Sequence, residues 1–426
     1  MGSGEWGMAN GEWRMGNGEW GMANGEWGVE SGHKPEIRSA KRVSRAVASG
    51  ELCHPFLSII NDLSMSVSTP TTVLPLLRDL IAIPSLTGEE AEAADYVEAH
   101  VRRAGLDVWR QNDNVSFALG DGEDVLLLNS HLDVVPPSSD HPYEPFDPVV
   151  TNGVLYGRGS VDAKSSGAAM TTALLSLLND GWRPPASGQV RVALTTFEEG
   201  GGMRNGLQNS RPHLPAISAA IIGEPTRLAP CVAQKGLLIL KIHAHGTSSH
   251  AGRPHLGDNA ISRAMQALQQ IEAITLNRDD PHVGTPSISP TTIQGGTARN
   301  IIPEHCMFAL DIRTTPAYTH DEIIAQVEAA VSDVPGIEVE VYSNRFFPCG
   351  TPPDSRIQQA CEAASGAAPI GSPTASDWIF VRDIPAVKMG PGDSRRSHTS
   401  EEYIPVAEVE RAVTVYRDAI RAYFPA

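Results

Sequence analysis

The sequence predicts an α/β fold, in which a smaller ferredoxin-like α+β domain is inserted into a large domain with a largely parallel sheet. Outside residues 236–346, short apolar runs alternate with helical periodicity, as in parallel sheets covered by helices on both faces. Within 236–346 the order becomes strand, helix, strand, strand, helix, strand, which is the split ferredoxin-like pattern. A chain of 426 residues is also too long for one ordinary core.

These patterns divide the chain into four segments. Residues 1–64 form a repeat-containing extension that we predict to be disordered. Residues 65–235 and 347–426 are predicted to form the two parts of the large domain, and residues 236–346 the inserted domain. The large domain is therefore expected to be built from sequence on both sides of the insertion.

The first segment repeats the triplet Gly-Glu-Trp every seven residues, starting at Gly4, Gly11, Gly18 and Gly25. Glycine or asparagine at each join disfavours a helix, and one tryptophan per unit cannot build a core. We interpret the segment as a disordered appendage or a translated upstream repeat, with the functional protein starting near Met65. A tryptophan-based binding tail is the alternative.

In the first part of the large domain, helical and extended patterns follow one another closely. The predicted elements are a helix from about 70 to the break at 84–85, a helix after 87, a strand at 125–128, a helix at 168–178, and strands at 190–197 and 219–222. Their alternation is what favours a parallel sheet.

The insertion and the last segment have their own pattern. The predicted elements are strands at 237–245, 287–294, 305–313 and 337–341, helices at 258–271 and 319–331, then a buried strand at 386–389 and a closing helix at 406–424. Thr319 and Glu322 have the spacing of a capping box at the start of the second inserted helix.

Composition limits the partners. A formal charge of −17 repels phosphate backbones and anionic membranes, so we expect no nucleic-acid and no membrane partner. There is no apolar run long enough to span a membrane and no export signal, so a cytoplasmic location is expected. The five cysteines lack CxxC pairing and are expected to be reduced packing residues.

Acids and histidines follow the predicted strands at their carboxyl ends. They are His131 and Asp133, Glu198 and Glu199, Glu224, His398, and Asp162 just before the 168–178 helix. In open α/β sheets these ends meet at one crevice. A lone histidine or aspartate at a strand end is more often structural, but five convergent segments favour a site for borderline divalent metals such as zinc.

The motifs around these residues resemble a known family. They are SHLDVVPP at 130–137, LYGRGSVDAK at 155–164, EEGG at 198–201, GEPT at 223–226 and SHT at 397–399. In order and spacing they resemble the acetylornithine deacetylase, succinyl-diaminopimelate desuccinylase and carboxypeptidase G family of two-metal hydrolases. The resemblance covers about residues 70 to 426.

The resemblance implies a two-metal centre, with zinc expected and cobalt or manganese possible. Its implied ligands are His131 and Glu224 for one ion, His398 and Glu199 for the other, and Asp162 as the bridge. Glu198 is the implied general base, and Asp133 is implied to fix the His131 tautomer by accepting its second N–H. A cis peptide is implied at Asp162–Ala163. Ala163 and Phe197 depart from the residues common in the family.

The resemblance also marks the inserted domain as a lid and dimerisation domain. His250, in GTSSHAG at 246–252, is implied to reach the partner subunit's active site and to donate to the developing oxyanion, which requires a homodimer. A polar loop role is its alternative. Asn300 and Arg313 resemble residues that hold the substrate carboxylate, although for Arg313 an ordinary surface role is almost equally supported.

The expected function is hydrolysis of the amide bond in a small N-acyl amino acid. The segment 371–378, which contains Ser376, looks most like the branch acting on N-acetylornithine, N-succinylornithine or N-acetylcitrulline in arginine biosynthesis. Capping of a helix is the alternative role for Ser376 and Asp377. A metallo-carboxypeptidase or dipeptidase, and a non-catalytic metal-binding relative, are the rival functions.

Overall fold

The computed structural model describes residues 72–200 and 204–425, and the backbone of four short strands near the N-terminus. Those strands form two antiparallel pairs, β1 with β2 and β3 with β4: β1 Gly7–Ala9, β2 Glu12–Arg14, β3 Gly21–Ala23 and β4 Glu26–Gly28. The rest of the 1–64 extension, with Cys53 and the proposed start at Met65, lies outside the described residues. Its predicted disorder stays a prediction.

The remaining strands belong to the second compact unit, Ser66–Ala426. In chain order they are β5 Val108–Gln111, β6 Asn114–Leu119, β7 Asp124–His131, β8 Val149–Thr151, β9 Val154–Tyr156, β10 Gly188–Thr195, β11 Ile217–Ile222, β12 Cys231–Gln234, β13 Gly236–His245, β14 Ser249–His250, β15 Ser287–Gly295, β16 Ile301–Ile302, β17 His305–Thr314, β18 Ile337–Phe346, β19 Cys349–Gly350, β20 Ile370–Ser372, β21 Ala386–Lys388 and β22 Tyr403–Pro405. Two sheets contain most of them.

The larger sheet has nine strands in the order β19-β12-β21-β11-β7-β10-β6-β5, with β20 paired to β12. The four central strands β21, β11, β7 and β10 run parallel, whereas β6 is antiparallel to β10 and β12 is antiparallel to β21. The predicted α/β class is confirmed, with a mixed sheet. At one end of the sheet β5 and β6 are also antiparallel. The connection between them is too short for the crossover that a parallel pair needs.

Eight helices are described: α1 Val73–Ala82, α2 Ala91–Arg103, α3 Lys164–Asn179, α4 Gly206–Ser210, α5 Ala260–Glu272, α6 His320–Val331, α7 Arg356–Ser365 and α8 Val406–Tyr423. Helix α3 is buried along almost its whole length, because α1, α8 and the sheet all pack against it. Its N-terminus therefore starts from a fixed position directly after Asp162.

The inserted segment contains the second sheet, with strand order β15-β17-β13-β18, all antiparallel. Side chains on one face of it form a separate core with α5 and α6, including Leu240, Phe308 and Val327. This topology confirms the ferredoxin-like pattern, and both halves of the Thr319–Glu322 capping box are present. The exact boundaries proposed for the segments stay a prediction.

Two expectations from composition concern the described residues. Cys231, Cys306, Cys349 and Cys361 are free and buried, as packing residues are. Within 72–200 and 204–425, no helix is both long and apolar enough to cross a membrane.

Candidate metal centre

The four central parallel strands bring the predicted site residues to one edge of the sheet. The register pairs Thr195 at the end of β10 with His131 at the end of β7, and Ile222 at the end of β11 with Lys388 at the end of β21. The residues that follow these strands must therefore leave the sheet side by side. This is why four segments distant in sequence meet.

His131 is held with one ring nitrogen facing two acids. Its Nδ1 lies 2.9 Å from the backbone carbonyl of Asp133, which can only accept, so Nδ1 carries a proton. The opposite nitrogen, Nε2, lies 3.2 Å from Asp162 Oδ1 and 3.8 Å from Glu224 Oε1. Nε2 is thus presented to two carboxylates, in the orientation of a metal ligand.

His398 repeats this arrangement on the other oxygen of Asp162. Its Nε2 lies 3.5 Å from Asp162 Oδ2 and 2.9 Å from Glu199 Oε1. Asp162 therefore has one oxygen toward each histidine. The Asp162–Ala163 peptide bond is cis, as the resemblance implied.

Asp133 connects His131 to the Glu198–Glu199 turn. Its carboxylate accepts hydrogen bonds from the backbone N–H groups of Glu198 and Glu199, each at 3.1 Å, and from the Thr87 hydroxyl at 2.9 Å. Its Oδ1 lies 3.5 Å from His131 Nδ1, farther than its backbone oxygen. The resemblance implied a contact between the Asp133 carboxylate and His131. It did not imply the hydrogen bonds from the Glu198 and Glu199 backbone to that carboxylate.

The crowded carboxylates perturb one another. Burial, followed by repulsion from Asp162, raises the pKa of Glu224 to about 8. Burial, followed by repulsion from Glu224, raises the pKa of Glu198 well above its ordinary value. Hydrogen bonding to Glu199 raises the pKa of His398. All three pKa values are raised, because the cluster holds more negative charge than its surroundings stabilise. A bound proton or a metal cation would offset that negative charge.

The donor set fits divalent metal ions. Ligand atoms of two groups, His131 with Glu198 and Glu224, and His131 with Asp162 and Glu199, lie within 4.8 Å of one another. Imidazole nitrogen and carboxylate oxygen are the ligands that zinc, cobalt and manganese share. The first group contains Glu198, so its carboxylate is close enough to be a ligand as well as a base.

Glu402 is a buried acid that the sequence reasoning missed. One carboxylate oxygen accepts from Arg158 Nη1 at 2.7 Å and from the Gly159 N–H at 3.1 Å. The other accepts from the N–H groups of Val161 and Asp162, at 2.8 and 3.0 Å. Glu402 therefore fixes the loop that carries Asp162. The exposed neighbour Glu401 looks the same in sequence, so no local signal separates the two.

Replacing Glu402 by glutamine should lower the free energy of unfolding by about 3–5 kcal/mol, because it leaves the buried Arg158 guanidinium without its counter-charge. We also expect weaker metal binding, since the Asp162 loop loses its anchor. Urea unfolding and a zinc titration would measure both effects. Glu401→Gln is the matched control; equal behaviour of the two variants would contradict the positioning role.

A cavity of about 230 Å³ opens beside the cluster. Its lining includes Asp162, Glu198, Glu199, Glu224 and His398, and also Ser372, Thr374 and Lys388. Lys388 was missed because its surroundings in the sequence predict only a buried strand. The cavity lining therefore contains a lysine and two hydroxyl groups as well as the acidic cluster.

The remaining predicted site residues do not line this cavity. His250 lies in an exposed strand beside Asn300, whose backbone oxygen accepts the Ala251 N–H. Arg313 binds the Asp311 carboxylate on the second sheet, at 2.8 Å.

Ser376 is buried and caps the helical turn Asp377–Val381, while its hydroxyl donates to Gln234 at 2.8 Å. The capping contact is the Trp378 N–H, which donates to the Ser376 hydroxyl and corresponds to the alternative role named for Ser376. The catalytic role of His250 and the substrate-binding roles of Asn300, Arg313 and Ser376 stay predictions.

Comparison with known proteins identifies the family. A profile described as peptidase family M20/M25/M40 matches residues 127–422. The chain belongs to this family. As a member of the M20 family, it is a hydrolase of the amidohydrolase and peptidase type.

Individual relatives agree with this assignment. The M20 chain is 30% identical over 382 residues to a succinyl-diaminopimelate desuccinylase of Methylorubrum extorquens, covering 82% of this chain and 98% of that protein. Among solved structures, it resembles the aminopeptidase PepT of Bacillus cereus with a TM-score of 0.68 at 20% identity, over 82% and 98% of the two chains.

A second solved structure carries a description relevant to metals. The YXEP protein of Bacillus subtilis, described as a dinuclear metal binding peptidase of the M20 family, matches with a TM-score of 0.62 at 16% identity, over 82% of this chain and 96% of that chain. At these identities, both structural matches show the fold.

Proposed function

We propose that this M20 hydrolase uses two divalent metal ions, zinc first among them, to cleave the amide bond of a small N-acyl amino acid. The observation that carries the proposal is the geometry of Asp162. Its two oxygens face the Nε2 atoms of His131 and His398, and each histidine also faces a glutamate. Two similar half-sites that share one carboxylate are what a metal pair needs.

Glu198 is the residue proposed to move the proton. Among the described residues, none donates a hydrogen bond to its carboxylate, although its backbone N–H is fixed by Asp133. When bound, the metal ions would supply Lewis-acid activation of water and of the amide carbonyl. Glu198 would take the proton from the attacking water and return it to the leaving amine. Its raised pKa suits a group that must hold that proton in between.

The proposed substrate class rests on two supports. The resemblance in the sequence favours N-acetylornithine, N-acetylcitrulline or N-succinylornithine, and the relative from Methylorubrum extorquens is a succinyl-diaminopimelate desuccinylase. These three compounds and succinyl-diaminopimelate are four amino acids that each carry an acyl group on nitrogen. A homodimer that brings His250 to the partner's site belongs to the same proposal.

A substrate panel tests the function. Metal-reconstituted protein would be incubated with the four N-acyl amino acids and with a set of dipeptides, and the released amine would be quantified. We expect turnover of at least one N-acyl amino acid and little of the dipeptides. Preferential cleavage of dipeptides would instead support a peptidase. Metal uptake without turnover of any compound would support a non-catalytic relative.

Metal affinity should depend strongly on pH. Glu224, with a pKa of about 8, holds a proton below that pH, and hydrogen bonds to Asp133 and Asp162 raise the pKa of His131; a metal ion must displace the protons that both groups hold. We therefore expect the apparent zinc affinity to rise by about tenfold or more per pH unit between pH 6 and 8. Competition with a chelator at pH 6, 7 and 8 measures this slope. A flat profile would contradict the raised pKa values.

A further inference from the structure

Lys388 is a buried cation at the wall of the catalytic cavity. It ends β21, is only 3% exposed, and lines the same cavity as the acidic cluster. Its ammonium donates to the Ser372 hydroxyl at 2.8 Å, to the Thr374 backbone oxygen at 3.1 Å and to the Thr374 hydroxyl at 3.4 Å. All three acceptors are neutral.

The charge of Lys388 has no direct counter-ion. Within the described ranges, no carboxylate oxygen lies within 4.0 Å of Nζ, although Glu224 is near enough to feel its charge. A buried ammonium without a carboxylate partner is costly, and neutral oxygens offset only part of that cost. Elsewhere in this molecule the buried guanidinium of Arg158 is paired with Glu402. Lys388 therefore combines three features: it is buried, it has no carboxylate partner among the described residues, and it lines the cavity.

We propose that Lys388, together with Ser372 and Thr374, forms an anion subsite that binds a carboxylate of the substrate while the metal cluster holds the scissile amide. The inference rests on the proposed function and narrows it, because it requires a substrate carboxylate within reach of β21. The Ser372 hydroxyl donates to the Thr374 backbone oxygen at 3.3 Å, so the Thr374 hydroxyl is the neutral donor that can turn to a carboxylate.

Two parts of an N-acyl amino acid could supply this carboxylate. One is the far end of a dicarboxylic acyl group such as succinyl, and the other is the α-carboxylate of the amino acid. Three substrates separate them: N-succinylornithine has both groups, N-acetylornithine has only the α-carboxylate, and N-acetylputrescine has neither.

The test compares kcat/KM of wild type and Lys388→Met on these three substrates. Loss of a charge-assisted hydrogen bond should cost the affected substrate about 10- to 100-fold more than the others. A selective loss for N-succinylornithine assigns the acyl carboxylate. A shared loss for both ornithine compounds, with a much smaller loss for N-acetylputrescine, assigns the α-carboxylate. Equal losses for all three would overturn the subsite.

Two further variants sharpen the result. Lys388→Arg keeps the positive charge and should restore part of the kcat/KM ratio between substrates that Lys388→Met changes. If Lys388 only stabilised the fold, keeping its charge would have no effect on that ratio. Lys241→Met is the matched control, because Lys241 stacks on Tyr342 in the second sheet, with its Nζ 3.6 Å from the ring centre. It should leave the ratios between substrates as in wild type.

A binding measurement keeps the subsite testable if the wild type hydrolyses none of the compounds, a result that would reject the proposed function. Calorimetry on zinc-loaded protein would compare succinate with butyrate, and ornithine with putrescine. Lys388→Met should weaken binding of the member with the additional carboxylate, succinate in the first pair or ornithine in the second, by about tenfold or more relative to its partner. Unchanged binding of all four ligands would overturn the inference.

Discussion

Glu198→Gln should lower kcat by about 10³-fold, because the amide keeps the shape of the side chain but cannot accept a proton. Bound metal should remain near that of the wild type, since the proposed ligands are the two histidines, Asp162, Glu199 and Glu224. Steady-state kinetics and elemental analysis of the same preparation measure the two quantities together. The separation of activity from metal content is the diagnostic result.

Two outcomes would change the assignment of Glu198. Retained activity would show that another group moves the proton. A fall in bound metal would show that Glu198 is itself a ligand, which its proximity to His131 and Glu224 allows. Glu401→Gln, an exposed change of the same kind, should affect neither quantity.

Asp162→Ala should remove both metal binding and activity. The side chain faces both histidines, so its loss opens both half-sites at once, and we expect bound zinc to fall from about two ions per chain to less than one. Activity should fall by about 10³-fold or more.

Elemental analysis after dialysis gives the stoichiometry for Asp162→Ala. Asp107→Ala, at an exposed position, is the control and should bind metal as the wild type does. If Asp162→Ala still bound two ions tightly, the bridging role would be wrong.

The larger features of the fold could be predicted because their helices and strands are long enough for a regular apolar pattern to be recognised. The inserted domain has strands of nine or ten residues and two helices of twelve or thirteen, and its predicted order is confirmed. The edge of the large sheet could not be predicted in the same way. Strands β19 and β20 have two and three residues, too few for an alternation to be recognised.

The candidate site shows the same division. His131, Glu198, Glu224 and His398 follow predicted parallel strands, so a strand-end argument placed them at one edge. Glu402 and Lys388 escaped that argument, because their importance depends on contacts with residues outside the short segment in which each lies. The Glu402 carboxylate accepts a hydrogen bond from Asp162, 240 residues earlier in the chain. The Lys388 ammonium donates a hydrogen bond to Ser372, at the end of β20. No local pattern encodes either contact.

The position of β21 also determines when the protein can become functional during its synthesis. This strand lies between β11 and β12 in the sheet, yet both neighbours precede it in the chain, separated from it by the whole inserted domain. A nascent chain that ends before residue 386 holds His131, Glu198 and Glu224 but lacks the strand that closes the sheet beside them. Because His398 follows β21 in the chain, the half-site that we propose for His398 can form only after the C-terminal segment has left the ribosome.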